Sequence, residues 1–262
     1  MKKLAIDKQL CEDCAQLAIN SYNGRWGDER NILDGQKIFY GELPHWYMGW
    51  KEGKLFIVFQ GTVNKAGWEN NLDYQQIKWT DKKFTGYVHK GFFRDEVMKA
   101  MPTILAEISE AAKERGDYDL VITGHSKGAS NAILASAIIK SYNLAFIRSI
   151  KCVSFAPARV MSPLAKRVYK KLNIPTMVFQ YGNDTVCKVP FRLSPGLIKR
   201  CIGFLWMNFW PTIQWWSHPV KVTHLGRAWY IWLMKTLPVI RHIGNPADHR
   251  PQNYLEGVKR LK

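Results

Sequence analysis

Val121 to Ser130 reads VITGHSKGAS, an apolar run followed by a serine with a glycine two residues to either side, and then an alanine-rich stretch. A glycine inside regular structure costs about 0.5–1 kcal/mol relative to alanine, so a pair of them around one polar residue marks a backbone constraint. Leu120–Thr123 is predicted as a short strand and Ala129–Ile139 as a helix, which puts Gly124-His125-Ser126-Lys127-Gly128 in a strand-to-helix turn. In that setting G-x-S-x-G is a nucleophile elbow: the turn is strained and the serine hydroxyl stands above the sheet. Strand and helix then pass so closely that side chains at Gly124 and Gly128 would collide. The helix N-terminus aims backbone donors at the same point, where they favour developing negative charge. Without those flanks the pentapeptide is only a glycine-rich connection holding an incidental serine.

The rest of the chain repeats the alternation. Residues 8–22 place Leu10, Cys14, Leu17, Ala18 and Tyr22 at helical spacing, and HWYMGWKEGKLFIVFQGT (45–62) reads as two strands about the turn Lys51-Glu52-Gly53. Leu55–Phe59 is apolar throughout, as in a strand buried on both faces. Val97, Met101, Ile104, Leu105, Ile108 and Ala111 fall at three- and four-residue steps, which predicts a helix over 94–115 ending near Gly116. IKCVSFAP (150–157) and PTMVFQYGND (175–184) are further strands, and VTHLGRAWYIW (222–232) is a candidate late edge strand. Strands alternating with helices predict an α/β fold around a mainly parallel central sheet. With 262 residues, 47% of them hydrophobic, and no internal repeat, the chain is expected to form one domain over residues 1–262.

A serine nucleophile needs a base and a group that orients it. In the order serine, acid, histidine, the acid belongs just beyond a strand that follows the elbow. Asp184, at the end of PTMVFQYGND, meets that condition. Asp117 and Asp119 precede the elbow, and Asp248 directly abuts His249 and cannot easily turn to face it. His218, His224, His242 and His249 all follow Asp184, and spacing alone does not choose among them.

The formal net charge is +17. From Val186 onward twelve basic residues face only Asp248 and Glu256, so ten of those net charges lie in the last third. Such a surface attracts polyanions, although it also serves plain solubility. No basic helix face with regular aromatic interleaving is present, so nucleic acid is not an expected partner. Cys11, Cys14, Cys152, Cys187 and Cys201 are odd in number and irregularly spaced, which is no disulfide framework. Cys11 and Cys14 have CxxC spacing, but no second pair completes a zinc site, and they read as packed or free thiols. Asp7 and Lys8 interrupt the N-terminal stretch before an apolar segment forms; no signal peptide is read there, and a cytoplasmic location is the default expectation.

Taken in order, further stretches resemble the class 3 lipase family, the fungal-lipase-type α/β-hydrolases. LAINSY (17–22), FIVFQGT (56–62), GWENNLDY (67–74), VHKGFF (88–93), VITGHSKGA (121–129), VSFAPARV (153–160), YGNDTVCKVP (181–190), VTHLGRAWY (222–230) and DHRPQNYLEGV (248–258) each resemble a family motif, and together they span nearly the whole chain. The resemblance implies an α/β-hydrolase fold, with Ser126 as nucleophile, Asp184 as orienting acid and His249 as base. It implies that the backbone N–H groups of Thr62 and Lys127 form the oxyanion hole, and that His224 is structural or flanks the site. Gln60 stands where the family usually has Arg or Lys, Lys127 where it has Leu, Ala129 where it has a second glycine, and Ala156 where glycine is common. These departures remove no catalytic group but bear on substrate preference.

Between acid and base, residues 191–220 read as an insert. Cys201 to Val220 carries no formal charge and holds Trp206, Phe209, Trp210, Trp215 and Trp216, flanked by Lys199, Arg200 and Lys221. A spanning helix needs about twenty predominantly apolar residues, and Asn208, Pro211, Gln214, Ser217 and His218 argue against one. A packed core element is the second reading. An amphipathic cap or lid is favoured, because tryptophan suits the lipid–water boundary and flanking cations suit anionic headgroups. On this basis Trp206, Trp210, Trp215 and Trp216 are the expected lipid-interface residues.

The expected function is serine-dependent hydrolysis of carboxylic esters in acylglycerol lipids, as a triacylglycerol lipase or phospholipase-like esterase, with no metal or organic cofactor. The alternative is a catalytically weak α/β-hydrolase-like protein that binds anionic membrane surfaces.

Overall fold

Leu55 to Phe59 lie at the centre of the fold, each at most 1% exposed. They belong to strand β3 (Lys54–Phe59), and their side chains alternate: Leu55, Ile57 and Phe59 enter one apolar cluster, Phe56 and Val58 another. Both faces of this strand are therefore covered, as its continuous apolar run predicts. The structure is a computed structural model and describes residues 6–22, 32–40, 44–63, 75–81, 84–188, 220, 222–225 and 246–261.

Around β3 the sheet has seven strands in the order β1-β2-β3-β6-β7-β8-β9. The others are β1 (Asp34–Phe39), β2 (Trp46–Lys51), β6 (Tyr118–His125), β7 (Ile147–Phe155), β8 (Thr176–Tyr181) and β9 (Val222–Leu225). β1, β2 and β3 pair antiparallel, and every pairing from β3 through β9 is parallel. The β2–β3 hairpin turns on left-handed backbone at Glu52 (φ 52) and Gly53 (φ 70), as its Lys-Glu-Gly sequence suggests. A separate two-stranded hairpin, β4 (Gln76–Asp81) and β5 (Phe84–His89), joins the main body through the Val88–Met161 bridge.

Helices α1 (Lys8–Asn20) and α5 (Pro251–Lys259) cover one face, where Leu17, Tyr254 and Val258 meet Phe56, Val121 and Val153. The other face carries α2 (Met98–Arg115), α3 (Lys127–Tyr142) and α4 (Pro163–Lys171), whose Ile104, Ile133 and Tyr169 pack with Ile57, Ile122 and Cys152. The sequence predicts one helix over 94–115; the chain instead enters α2 through a π-helical segment, Gly91–Val97, that buries Phe92, Phe93, Glu96 and Val97. The elbow strand and helix are each longer than their apolar cores predict. Strand β1, the β4–β5 hairpin, α4 and α5 have no counterpart in the apolar pattern.

Cys11, Cys14, Cys152 and Cys187 are buried free thiols, in keeping with the packed-thiol reading. Burial pushes the Cys11 thiol up to about 12. Among the described residues no helix is long and apolar enough to cross a membrane. The expected cap at 191–220, with Trp206, Trp210, Trp215 and Trp216, lies outside the described residues except for Val220.

Candidate active site

Strand β6 ends at His125, and Ser126 turns the chain into α3 with φ 60 and ψ −125. A non-glycine residue in this region is strained and needs its surroundings to hold it. The Ser126 amide donates to the Phe155 carbonyl at 2.9 Å, and its carbonyl accepts from Ala129 N at 3.1 Å and Ser130 N at 3.2 Å. The flanking glycines meet the collision test set by the sequence. A Cβ at Gly124 would lie 2.5 Å from the Gly128 carbonyl carbon, and one at Gly128 would lie 2.7 Å from that of Phe59.

Ser126 is followed 123 residues later by the group that faces it: His249 Nε2 lies 2.8 Å from Ser126 Oγ. His249 ends a short 3-10 turn, Pro246–His249, that leads into α5. On the far side of the ring, Nδ1 lies 2.8 Å from Asp184 Oδ2. Asp184 is fully buried just beyond β8, with Oδ1 accepting from Val186 N at 2.8 Å and Oδ2 accepting from the Tyr254 hydroxyl at 2.5 Å. These bonds hold the carboxylate's charge toward the imidazole.

The loop that carries Asp184 is tied to the turn that carries His249. Gly182 has φ +47, and a Cβ there would lie 2.5 Å from Asp248 Oδ2, which accepts from Asn183 N at 2.7 Å. Asp248 thus points at this backbone and not at its neighbour His249. Asp119 lies at the opposite end of β6 from the elbow, accepting from Ser149 Oγ at 2.8 Å. His224 falls on β9 in register with Gln180, while His218 and His242 lie outside the described residues.

Beside the elbow, the His125 ring sits 4.6 Å from that of His249, centroid to centroid. Its Nδ1 meets the Tyr22 hydroxyl at 2.8 Å. Burial, and then the nearby His249, hold His125 well below the usual histidine range, so it stays neutral. Thr62 follows Gly61, whose Cα is pressed against Tyr22 and the His125 carbonyl: a Cβ there would lie 2.8 Å from that oxygen. The loop after β3 therefore runs along the elbow. Lys127 is the first residue of α3, where backbone donors converge, and its side chain turns inward to Glu96 at 3.1 Å. Gln60 is buried, donates to the Ser21 carbonyl and meets His45 Nδ1 at 3.2 Å.

The sequence pattern alone does not mark Tyr22, Tyr254, Asp248 and Glu96 as site residues. Tyr22 and Tyr254 both sit inside stretches that carry the family resemblance, which is the one signal that points to them.

The family described as Lipase (class 3) matches this chain over residues 56–194, which takes in the elbow and Asp184. A lipase of Rhizomucor miehei is 28% identical over 88 residues, 34% of this chain and 24% of that protein. The chain thus spans about a quarter of the curated relative it matches. Its fold is similar to that of the Rhizomucor miehei lipase–propeptide complex, with TM-score 0.62 and 19% identity over 71% of this chain and 65% of that one. A triacylglycerol lipase described as having a serine protease triad at its catalytic centre matches with TM-score 0.62 and 19% identity, over 70% of this chain and 74% of that one.

Proposed function

This chain belongs to the class 3 lipase family, and from that premise we propose that it is a serine esterase acting on acylglycerol lipids. The reading rests on one observation: the unbroken chain Ser126 Oγ–His249 Nε2 and His249 Nδ1–Asp184 Oδ2, both links 2.8 Å. Ser126 Oγ attacks the ester carbonyl carbon while His249 Nε2 takes the hydroxyl proton. Asp184 fixes the tautomer and stabilises the imidazolium that forms. The carbonyl oxygen becomes an oxyanion held by the N–H groups of Thr62 and Lys127. Loss of one such donor typically costs about 10²–10³ in turnover. The tetrahedral intermediate collapses as His249 gives its proton to the departing alcohol, leaving an acyl-Ser126. Water, deprotonated by His249, then attacks the acyl carbon, and the proton returns to Ser126 as the fatty acid leaves.

A second reading, a weakly catalytic protein that binds anionic membranes, draws on the ten net positive charges after Val186. Hydrolysis of short- and long-chain p-nitrophenyl esters by wild type and Ser126→Ala, with and without anionic vesicles, decides between them. Activity abolished by Ser126→Ala is the expected result. Folded wild type that hydrolyses no ester under any condition, yet binds the vesicles, would replace the esterase reading with the second.

A further inference from the structure

A buried ion pair sits one residue from the nucleophile. Lys127 Nζ and Glu96 Oε1 are 3.1 Å apart, with side chains 7% and 10% exposed. The other carboxylate oxygen, Glu96 Oε2, accepts from Asn131 Nδ2 at 2.7 Å. Lys127 and Asn131 are four residues apart on α3, hence on one face of its first turn. One carboxylate therefore spans that turn and fastens it to the π-helical segment Gly91–Val97. A π-helical turn is rare and is frequently found at functional sites. Asn131 commits its amide to Glu96 although its Oδ1 is buried without a partner among the described residues.

Stability alone does not account for this cluster. Burying two charges costs desolvation that their attraction barely repays, and apolar residues of similar volume are usually at least as stable there. What an ion pair supplies that packing does not is direction. The backbone it directs is that of Lys127, whose N–H is the oxyanion donor of the proposed reaction.

We propose that Glu96 is a positioning residue: through Lys127 and Asn131 it sets the aim of the Lys127 N–H at the oxyanion. The assignment rests on the serine-esterase reading. The full chain would be assayed on p-nitrophenyl butyrate as wild type, Glu96→Gln, Lys127→Met and the double variant, with urea unfolding of each. Glu96→Gln is expected to lower kcat about 10- to 50-fold, short of the loss of a whole donor. KM should stay within about twofold, and the acid limb of kcat/KM should not move in the double variant, whose net charge equals that of wild type. The double variant, which removes both charges, is expected to regain the urea midpoint and not kcat, and it carries the test if Glu96→Gln does not fold. A lowered midpoint with wild-type kcat would overturn the assignment, as would a joint shift of kcat, KM and the acid limb in the double variant. Wild type that neither hydrolyses ester nor is labelled at Ser126 by a fluorophosphonate would sink the esterase reading and this assignment with it. An active wild type with an unaffected Glu96→Gln would sink only the assignment.

Discussion

Tyr254 donates its hydroxyl to Asp184 at 2.5 Å, on the same carboxylate oxygen that faces His249. The phenol is buried, and burial raises it well above its ordinary range, so it remains a donor throughout the neutral region. Tyr254→Phe keeps the ring packed against Phe155 and removes only the hydroxyl. A hydrogen bond to a charged group contributes about 1.5–3 kcal/mol. Urea unfolding should report a loss of that size, and kcat on p-nitrophenyl butyrate should fall as the carboxylate loses its fixed aim. Wild-type values of both would mean the hydroxyl does not hold Asp184.

Asp248 ties the acid's loop to the base's turn through Asn183 N at 2.7 Å. Asp248→Ala should leave that amide without its acceptor and let the loop drift, lowering kcat about tenfold. Asp248→Asn keeps an acceptor oxygen and should keep most of the activity. Equal losses in both variants would show that charge matters at this position and not the tie.

What was legible in the sequence is what local chemistry constrains. Ser126 could be read because Gly124 and Gly128 have no room for a side chain, and Asp184 because it closes an apolar strand. His249 could not be separated by spacing from His218, His224 and His242; the resemblance singled it out, and the fold brings it to Ser126 across 123 residues. Tyr254 meets Asp184 across 70 residues and Tyr22 meets His125 across 103, and each looks like an ordinary helical core residue until the helices dock. Strand β1 leaves no trace in the apolar pattern, because its residues are exposed or half-exposed and show no alternation. Helix α5 shows no apolar stripe, because only Tyr254, Gly257 and Val258 of its residues are buried.

Two glycines separate steric from conformational cost. Gly53 has φ +70 with nothing within 4 Å of an added Cβ, so Gly53→Ala should cost about 1–2 kcal/mol, the left-handed penalty alone. At Gly128 the same methyl meets the backbone of Phe59 and Gln60, which cannot move without opening β3 from the elbow. Gly128→Ala should therefore cost more than Gly53→Ala in urea and also abolish ester hydrolysis. A Gly128→Ala enzyme as stable and active as wild type would contradict the packing described for the elbow.

The buried titratable groups predict a stability dome with two identifiable limbs. Burial holds His125 well below its ordinary 6.5, so an unfolded chain binds a proton there that the native one refuses. Its contribution is complete above pH 6.5 and is lost as pH falls toward the folded value, at about 1.4 kcal/mol per pH unit. On the other side, burial raises the Cys14 and Cys152 thiols above their ordinary 9.0 and the Tyr47 and Tyr169 phenols above their ordinary 10.0. The native state keeps protons there that the unfolded state gives up, so these contributions are complete below those values and are lost as pH rises beyond them. Urea midpoints at pH 5, 7.5 and 10.5 should peak at 7.5. Tyr47→Phe should make the alkaline limb shallower while leaving the acid one, since the two thiols still contribute to it, and His125→Gln should flatten the acid limb while leaving the alkaline one. A His125→Gln protein with the wild-type slope between pH 5 and 7.5 would show that the ring beside His249 titrates in the native state after all.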